Sequence, residues 1–108
     1  MSHVPLQLNI ADKASADIEE ISFYFAQRAP DVTDRFYQAV KRTIQQLLRS
    51  PALGERCRFR NPATKGMRIW QVDGFSNYLI FYRLNGEQLE ILRILHGARN
   101  YETMFNEE

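Results

Sequence analysis

Cysteine is nearly absent from this chain. Cys57 stands alone, so it can form no internal disulfide, and no CxxC partner prepares it for a metal. Set between Arg56 and Arg58, its thiol is open to acidification and reaction; the plainer reading is an incidental cysteine in a reducing compartment. Histidine is equally scarce, and His3 and His96 lie too far apart in sequence to suggest one shared metal ion. Gly-rich phosphate loops, HExxH, EF-hand spacing and a GxSxG elbow are all missing, which removes the commonest nucleotide, zinc-hydrolase, calcium and serine-hydrolase classes. No metal or cofactor is expected. No apolar run approaches the ~18 residues of a membrane span, and no charged-then-apolar leader opens the chain. The expected location is the cytoplasm, away from membranes.

What is present fits one domain over residues 1–108, with 44% hydrophobic and 25% charged residues and a core that needs no disulfide. The net charge is only +1, but it is unevenly spread. From Asp12 to Ser50 six acids balance six bases. From Arg56 to Val72 the chain carries Arg56, Arg58, Arg60, Lys65 and Arg68 and no acid. Such a stretch is either a solvated loop or a contact for phosphates or an acidic protein partner.

Along the chain, "VPLQLNI" (Val4 to Ile10) alternates like a strand. Asp12 is suited to cap a following helix, in which Ala14, Ile18, Ile21 and Phe25 form one apolar stripe. Asp17, Glu19 and Glu20 fall off that stripe, near the helix start where acids suit the dipole. Pro30 stops this helix at about Arg28. Asp31 or Thr33 is expected to cap a second helix with the stripe Phe36, Val40, Ile44 and Leu47, widened by Leu48 and ended by "RSPALG". The two helices should form an antiparallel hairpin. The rest reads as strands: "MRIWQV" with Trp70 in the core, "YLIFYRL", and "QLEILRILH", followed by a tail with about one helical turn. The order β-α-α-β-β-β implies an α+β fold, a helical hairpin on one face of a small antiparallel sheet.

Asn85-Gly86 predicts a type I′ turn, since both residues tolerate positive φ. With those two as the loop, Leu84 faces Glu87, Arg83 faces Gln88, Phe81 faces Glu90 and Tyr78 faces Arg93. One face then carries Tyr78, Ile80, Tyr82, Leu84, Leu89, Ile91, Arg93 and Leu95, and is assigned to the core under the helices. The other carries Leu79, Phe81, Arg83, Gln88, Glu90, Leu92, Ile94 and His96. Its apolar members Leu79, Phe81, Leu92 and Ile94 make a patch that either receives a partner or is covered by the tail through Tyr101, Met104 and Phe105. His96 would lie eight residues, roughly 27 Å, along the strand from Arg83's neighbour, with Arg93 on the opposite face. Arg83, Arg93 and His96 therefore cannot meet around one phosphate, and Arg83 is expected to pair diagonally with Glu90. His96, Arg99 and Tyr101 remain, either as groups for general acid–base work or as amphipathic side chains closing the sheet end.

The block "VDGFSNYLIFYRLNGEQLEILRILHGARNY" resembles the C-terminal half of the RelE/ParE toxin superfamily, in its ParE-like branch. The match runs through Val72, Phe75, Tyr78 to Arg83, Ile91 to Arg93 and Leu95 to Asn100. The spacing of Ala14, Asp17, Ile18 and Ile21, then Pro30, Arg35-Phe36, Leu47, Ser50-Pro51 and Gly54, extends the resemblance over essentially the whole chain. It implies the toxin half of a bacterial type II toxin–antitoxin pair, neutralised by a ParD-like antitoxin whose flexible part wraps over it. The ParE-like branch implies a non-enzymatic protein that poisons DNA gyrase. The RelE-like alternative implies a ribosome-dependent mRNA endoribonuclease, with His96, Arg99 and Tyr101 as its candidate catalytic groups. Under either reading Arg56, Arg58, Arg60, Lys65 and Arg68 are candidates for contact with the target or with nucleic acid. Leu79, Phe81, Leu92 and Ile94 are candidates for holding the antitoxin.

Overall fold

Two amphipathic helices with one apolar stripe each need a flat apolar surface to cover, and the strand-rich second half of the chain supplies it. The computed structural model describes residues 5–106. Its elements are β1 (Gln7–Ile10), α1 (Asp12–Arg28), α2 (Pro30–Arg49), β2 (Glu55–Arg56), a 3-10 turn (Pro62–Thr64), β3 (Arg68–Val72), β4 (Phe75–Asn85), β5 (Gln88–His96) and α3 (Tyr101–Asn106). Val4, the expected start of the first strand, and His3 lie outside the described residues. None of the helices among them is long and apolar enough to cross a membrane.

The strands form one sheet in the order β1-β5-β4-β3-β2. The α+β architecture is the expected one, with a finer difference: the sheet is mixed, because β1 pairs in parallel with β5 from Gln7↔Gln88 to Ile10↔Ile91. Main-chain bonds from Gln7 N–H to Glu87 O (2.8 Å) and from Ala11 N–H to Ile91 O (2.9 Å) bracket that pairing. Neither long helix starts on a side-chain cap. Asp12 and Asp31 lie inside the first turns, where their charge suits the dipole, and Pro30 opens α2 with its missing N–H where none is needed.

Both helical stripes pack as their spacing predicts. Phe36, Ala39, Val40 and Leu47 of α2 are buried with Ile80, Tyr82, Leu89, Ile91 and Ile94 of the sheet, and Ile18, Ile21, Phe25 and Trp70 close the margins. Phe36 meets Phe75 edge-on at 5.2 Å and Tyr78 at 5.1 Å between ring centres, a favoured aromatic geometry. Thr43 binds α2 to the β3–β4 turn: its hydroxyl donates to Ala39 O and accepts from Asp73 N–H.

The hairpin register differs from the expected one. Asn85 pairs with Gln88, so the loop is Gly86-Glu87, and only Gly86 takes a positive φ (62°), as the first position of a type II′ turn requires. Arg83 thus faces Glu90 directly. Beyond Tyr82↔Ile91 the ladder jumps to Phe81↔Arg93, leaving Leu92 as an extra residue in a bulge. A one-residue slip sends each later side chain to the other face. Ile94 consequently packs under the helices, while Leu95 joins Phe81 on the far side.

The bulge is where Asp17 binds. Its carboxylate accepts from Arg93 Nε (2.8 Å) and from the second Arg93 nitrogen (2.9 Å), and also from the backbone N–H of Ile94 (3.0 Å). The Asp17 side chain is 9% exposed and that of Arg93 19%, so the pair is largely withdrawn from water. Asp17 does not lie off the helix stripe. It stands three residues after Ala14 and four before Ile21, facing β5. The acceptor set also favours the charged guanidinium: the Asp17 hydrogen bond holds the Arg93 pKa above its ordinary value.

A second close contact seats the turn after α2. Tyr82 is fully buried, and its hydroxyl donates to Pro51 O (2.7 Å) and accepts from Gly54 N–H (2.8 Å). A Cβ at Gly54 would stand 2.6 Å from the Tyr82 hydroxyl and 2.7 Å from Ile69 O, so only glycine permits this approach.

Asp17→Ala is expected to lower unfolding free energy by ~3–5 kcal/mol, because it strands a buried guanidinium and an N–H. Adding Arg93→Ala should cost much less than a second equal amount, since the two residues act on one interaction. Urea denaturation of both single variants and the double variant measures this. Tyr82→Phe, which leaves the Gly54 N–H unpaired, should cost ~1–2 kcal/mol in the same assay.

Candidate functional site

The basic segment begins as a strand. Glu55 and Arg56 pair with Ile69 and Arg68 of β3, and Cys57 N–H donates to Met67 O, continuing the ladder by one residue. Exposure alternates accordingly: Arg56, Arg58 and Arg60 are exposed, while Cys57 and Phe59 are half-buried against Phe81, Leu95 and Met67. These three arginines line a groove of about 720 Å³ together with Lys65 and Arg68. Arg56, Arg58, Arg60 and Lys65 form no ion pair among the described residues. Arg68 differs. It is half-buried and donates to Gly54 O (2.6 Å) and Ala52 O (3.4 Å), which gives it a part in holding the turn. Cys57 is not acidified by its neighbours; burial pushes its thiol up to about 11.

The candidates for acid–base chemistry do not assemble. His96 stacks edge-on against Tyr78 at 5.1 Å, and its Nδ1 accepts from Ala98 N–H (3.0 Å). With Arg99 it lines a cavity of about 320 Å³ beside α1, together with Glu20 and Tyr24. Tyr101 belongs to the other side of the sheet, its ring 5.2 Å from Phe81 and 6.5 Å from Phe59. It shares a small cavity with Arg58 and Phe59, not with His96.

Arg83, Arg93 and His96 are also apart, though not for the full reason the sequence suggested. The observed register puts His96 six residues from Glu90, Arg83's neighbour, roughly 20 Å at 3.4 Å per residue and not 27 Å. Arg93 and His96 do fall on opposite faces: Arg93 stands across from Phe81 and lines a groove with Met104 and Phe105 while its guanidinium reaches Asp17, whereas His96 stands across from Tyr78 and opens into the cavity beside α1. Arg83 and Arg93 do border one groove of about 400 Å³, but each is already held by a carboxylate. Arg83 Nε donates to Glu90 (2.9 Å), and another of its nitrogens donates to Ala63 O (2.7 Å), which ties the 3-10 turn of the basic segment to the hairpin.

The apolar patch is covered. Phe81 is fully buried, and Leu79 and Leu92 are half-buried beneath α3, where Phe105 lies 4.7 Å from Phe81 and stacks on Phe59 at 5.1 Å. Ile94 leaves the patch altogether because of the bulge. The tail thus does what one of the two sequence readings required. Asn106 adds a polar tie, its Oδ1 accepting from Arg60 N–H. Sequence reasoning missed Asn106 and Asp17 as positioning residues. Asp17 could have been found from its i+3 and i+4 spacing on the stripe, whereas nothing local marks Asn106.

A two-layer fold of this kind is found in the toxin–antitoxin structures to which the chain is similar. A chromosomal ParDE system from P. aeruginosa matches with a TM-score of 0.69 and 20% identity, over 85% of this chain and 96% of that one. The RelBE2 complex from Mycobacterium tuberculosis matches at 0.59 and 20% identity, over 86% and 99%. The DinJ–YafQ complex from E. coli matches at 0.53 and 18% identity, over 88% and 96%. These likenesses define the fold class as RelE/ParE-like. Residues 8–101 match the family model described as the ParE toxin of the type II toxin–antitoxin system parDE, and the chain belongs to that family. No curated protein sequence matches it as a relative.

The Arg83–Glu90 pair has a pH signature. The Arg83 hydrogen bond holds the Glu90 carboxyl below its ordinary value of 4.5. A lowered folded pKa contributes stability in full above the ordinary value, and that stability is lost as pH falls through the lowered one. Glu90→Gln should therefore be less stable than the parent at pH 6. The gap should close as both are acidified below about 4.5, which thermal unfolding across pH 6 to 3 would record.

Proposed function

We propose that this toxin acts in the cytoplasm without catalysing a reaction: it binds DNA gyrase, leaves cleaved DNA unrejoined, and is held inactive by a ParD-like antitoxin. The observation that carries this reading is the dispersal of the groups a nuclease would need. Arg83 and Arg93 are neutralised by Glu90 and Asp17, His96 and Arg99 lie beside α1, and Tyr101 packs against Phe81 on the other side of the sheet. General acid–base catalysis needs its groups within hydrogen-bond reach of one reacting centre. A binding protein needs only an accessible surface, and Arg56, Arg58, Arg60 and Lys65, which form no ion pair among the described residues, provide one. That three solved structures similar to this chain are toxin–antitoxin systems or complexes supports an antitoxin partner. An antitoxin segment that reached Leu79, Phe81 and Leu92 would have to lift α3 first, and an amphipathic segment could replace its apolar face.

The RelE-like reading draws on one observation, the shared cavity of Tyr101 and Arg58. It would make the protein a ribosome-dependent endoribonuclease with Tyr101 and the basic groove at its working centre.

Induction without antitoxin should arrest growth with a DNA-damage response, and purified protein should raise gyrase-linked DNA cleavage. Tyr101→Phe should leave both effects within about twofold, since it removes a hydroxyl that no catalytic step uses. Unimpaired gyrase turnover, together with cut ribosome-bound mRNA that Tyr101→Phe abolishes, would replace this reading with the nuclease.

A further inference from the structure

We infer that Arg56, Arg58 and Arg60 form a comb that binds the phosphodiester backbone of one nucleic-acid strand without reading its bases. Alternate residues of an extended chain stand about 6.8 Å apart, a repeat of the same order as that between successive phosphates of an extended strand. The alternation is observed, since Cys57 and Phe59 turn into the apolar layer while the three arginines stay exposed.

The comb is also held in place. The ladder to β3 fixes Arg56 and Cys57, the Phe105 ring stacks on Phe59, and Asn106 accepts from Arg60 N–H. Ordering the backbone is a large share of the cost of binding an extended ligand, and here that cost is met on folding. A like-charge neighbour is the second observation. Arg56 stands directly across from Arg68, a like-charge pair that costs stability, and none of the three comb arginines has an ion-pair partner among the described residues. Lys65 adds a fourth cation to the lining of the same groove. With a net charge of only +1, the chain as a whole has little attraction for a polyanion, so binding would have to be local to this segment. Glutamate side chains would meet the same charge, but nothing in a folded acidic surface imposes that repeat.

This inference goes beyond the gyrase reading, and its test contains neither gyrase nor ribosome. Fluorescence anisotropy of the full-length protein with dye-labelled oligothymidylate and oligouridylate should show equal affinity for both sugars. Three phosphate contacts to a single strand should weaken binding about 20-fold between 50 and 200 mM salt. Replacing all three arginines by alanine should flatten the slope of log K against log salt by about 2. A triple alanine variant at Lys13, Lys41 and Arg49, which lie outside the groove and remove the same charge, should keep the wild-type slope. If the comb variant fails a thermal-unfolding check, Arg58→Ala alone should lower the slope by about 0.7. The inference is overturned by a wild-type slope in the comb variants, by equal flattening in the control, or by polyglutamate binding as tightly as either oligomer. A preference of about tenfold or more for one sugar would also overturn it, since backbone phosphates alone carry no such information.

Discussion

A carboxylate at the inner face of the first helix decides how the two halves of this protein meet. Asp17 has three hydrogen bonds to accept, two from Arg93 and one from the Ile94 N–H, and all come from a bulge in β5. The bulge frees the Ile94 N–H from the ladder, and Asp17 pairs it, so neither is left unsatisfied. Several features follow from that one point. It sets α1 against β5, it turns Ile94 into the helical core, and it removes Arg93 from any pool of cations available to a ligand. A regular hairpin would have put Ile94 beside Phe81 and left the helix without its anchor.

The cations of this chain fall into two groups with different physics. Arg68, Arg83 and Arg93 are at least half-covered and hold pieces of backbone or carboxylate, so their guanidinium forks are committed to the fold. Arg56, Arg58, Arg60 and Lys65 are exposed, form no ion pair among the described residues, and gather along one groove while the helices carry balanced charge. That division favours a surface that recognises over a centre that reacts. The chain belongs to the ParE toxins of type II systems, the branch of the superfamily suggested by "YLIFYR" and "LHGARN".

Much of the fold was legible because it rests on periodicity. Both helix stripes, the helix-breaking Pro30 and the strand-turn-strand at Gly86 follow from 3.6- and 2-residue repeats and from proline and glycine geometry, while Trp70, expected in the core, is half-buried at its margin. Three features were not legible, each for a physical reason. The turn type depends on whether Asn85 or Gly86 opens the loop, and Asn-Gly permits both. The bulge is a tertiary decision, made by Asp17 from 76 positions away in sequence, and no local pattern in "EILRIL" announces it. The parallel docking of β1 is likewise fixed by a distant strand. Of the candidate site, the basic segment was legible from composition, but its alternation into exposed arginines and covered Cys57 and Phe59 depends on α3, whose six residues read only as a short tail.

The pairing of β1 with β5 also bears on how the chain is made. Several main partners of the N-terminal half lie late in the sequence: Gln88 to Ile91 for β1, Arg93 and Ile94 for Asp17, and Ile80 to Ile94 for the helix stripes. During synthesis the helical hairpin emerges first and must wait, with its apolar side bare, until the final hairpin has left the ribosome. A nascent chain of this protein is therefore an unfinished surface until the β4–β5 hairpin has emerged to cover the helices.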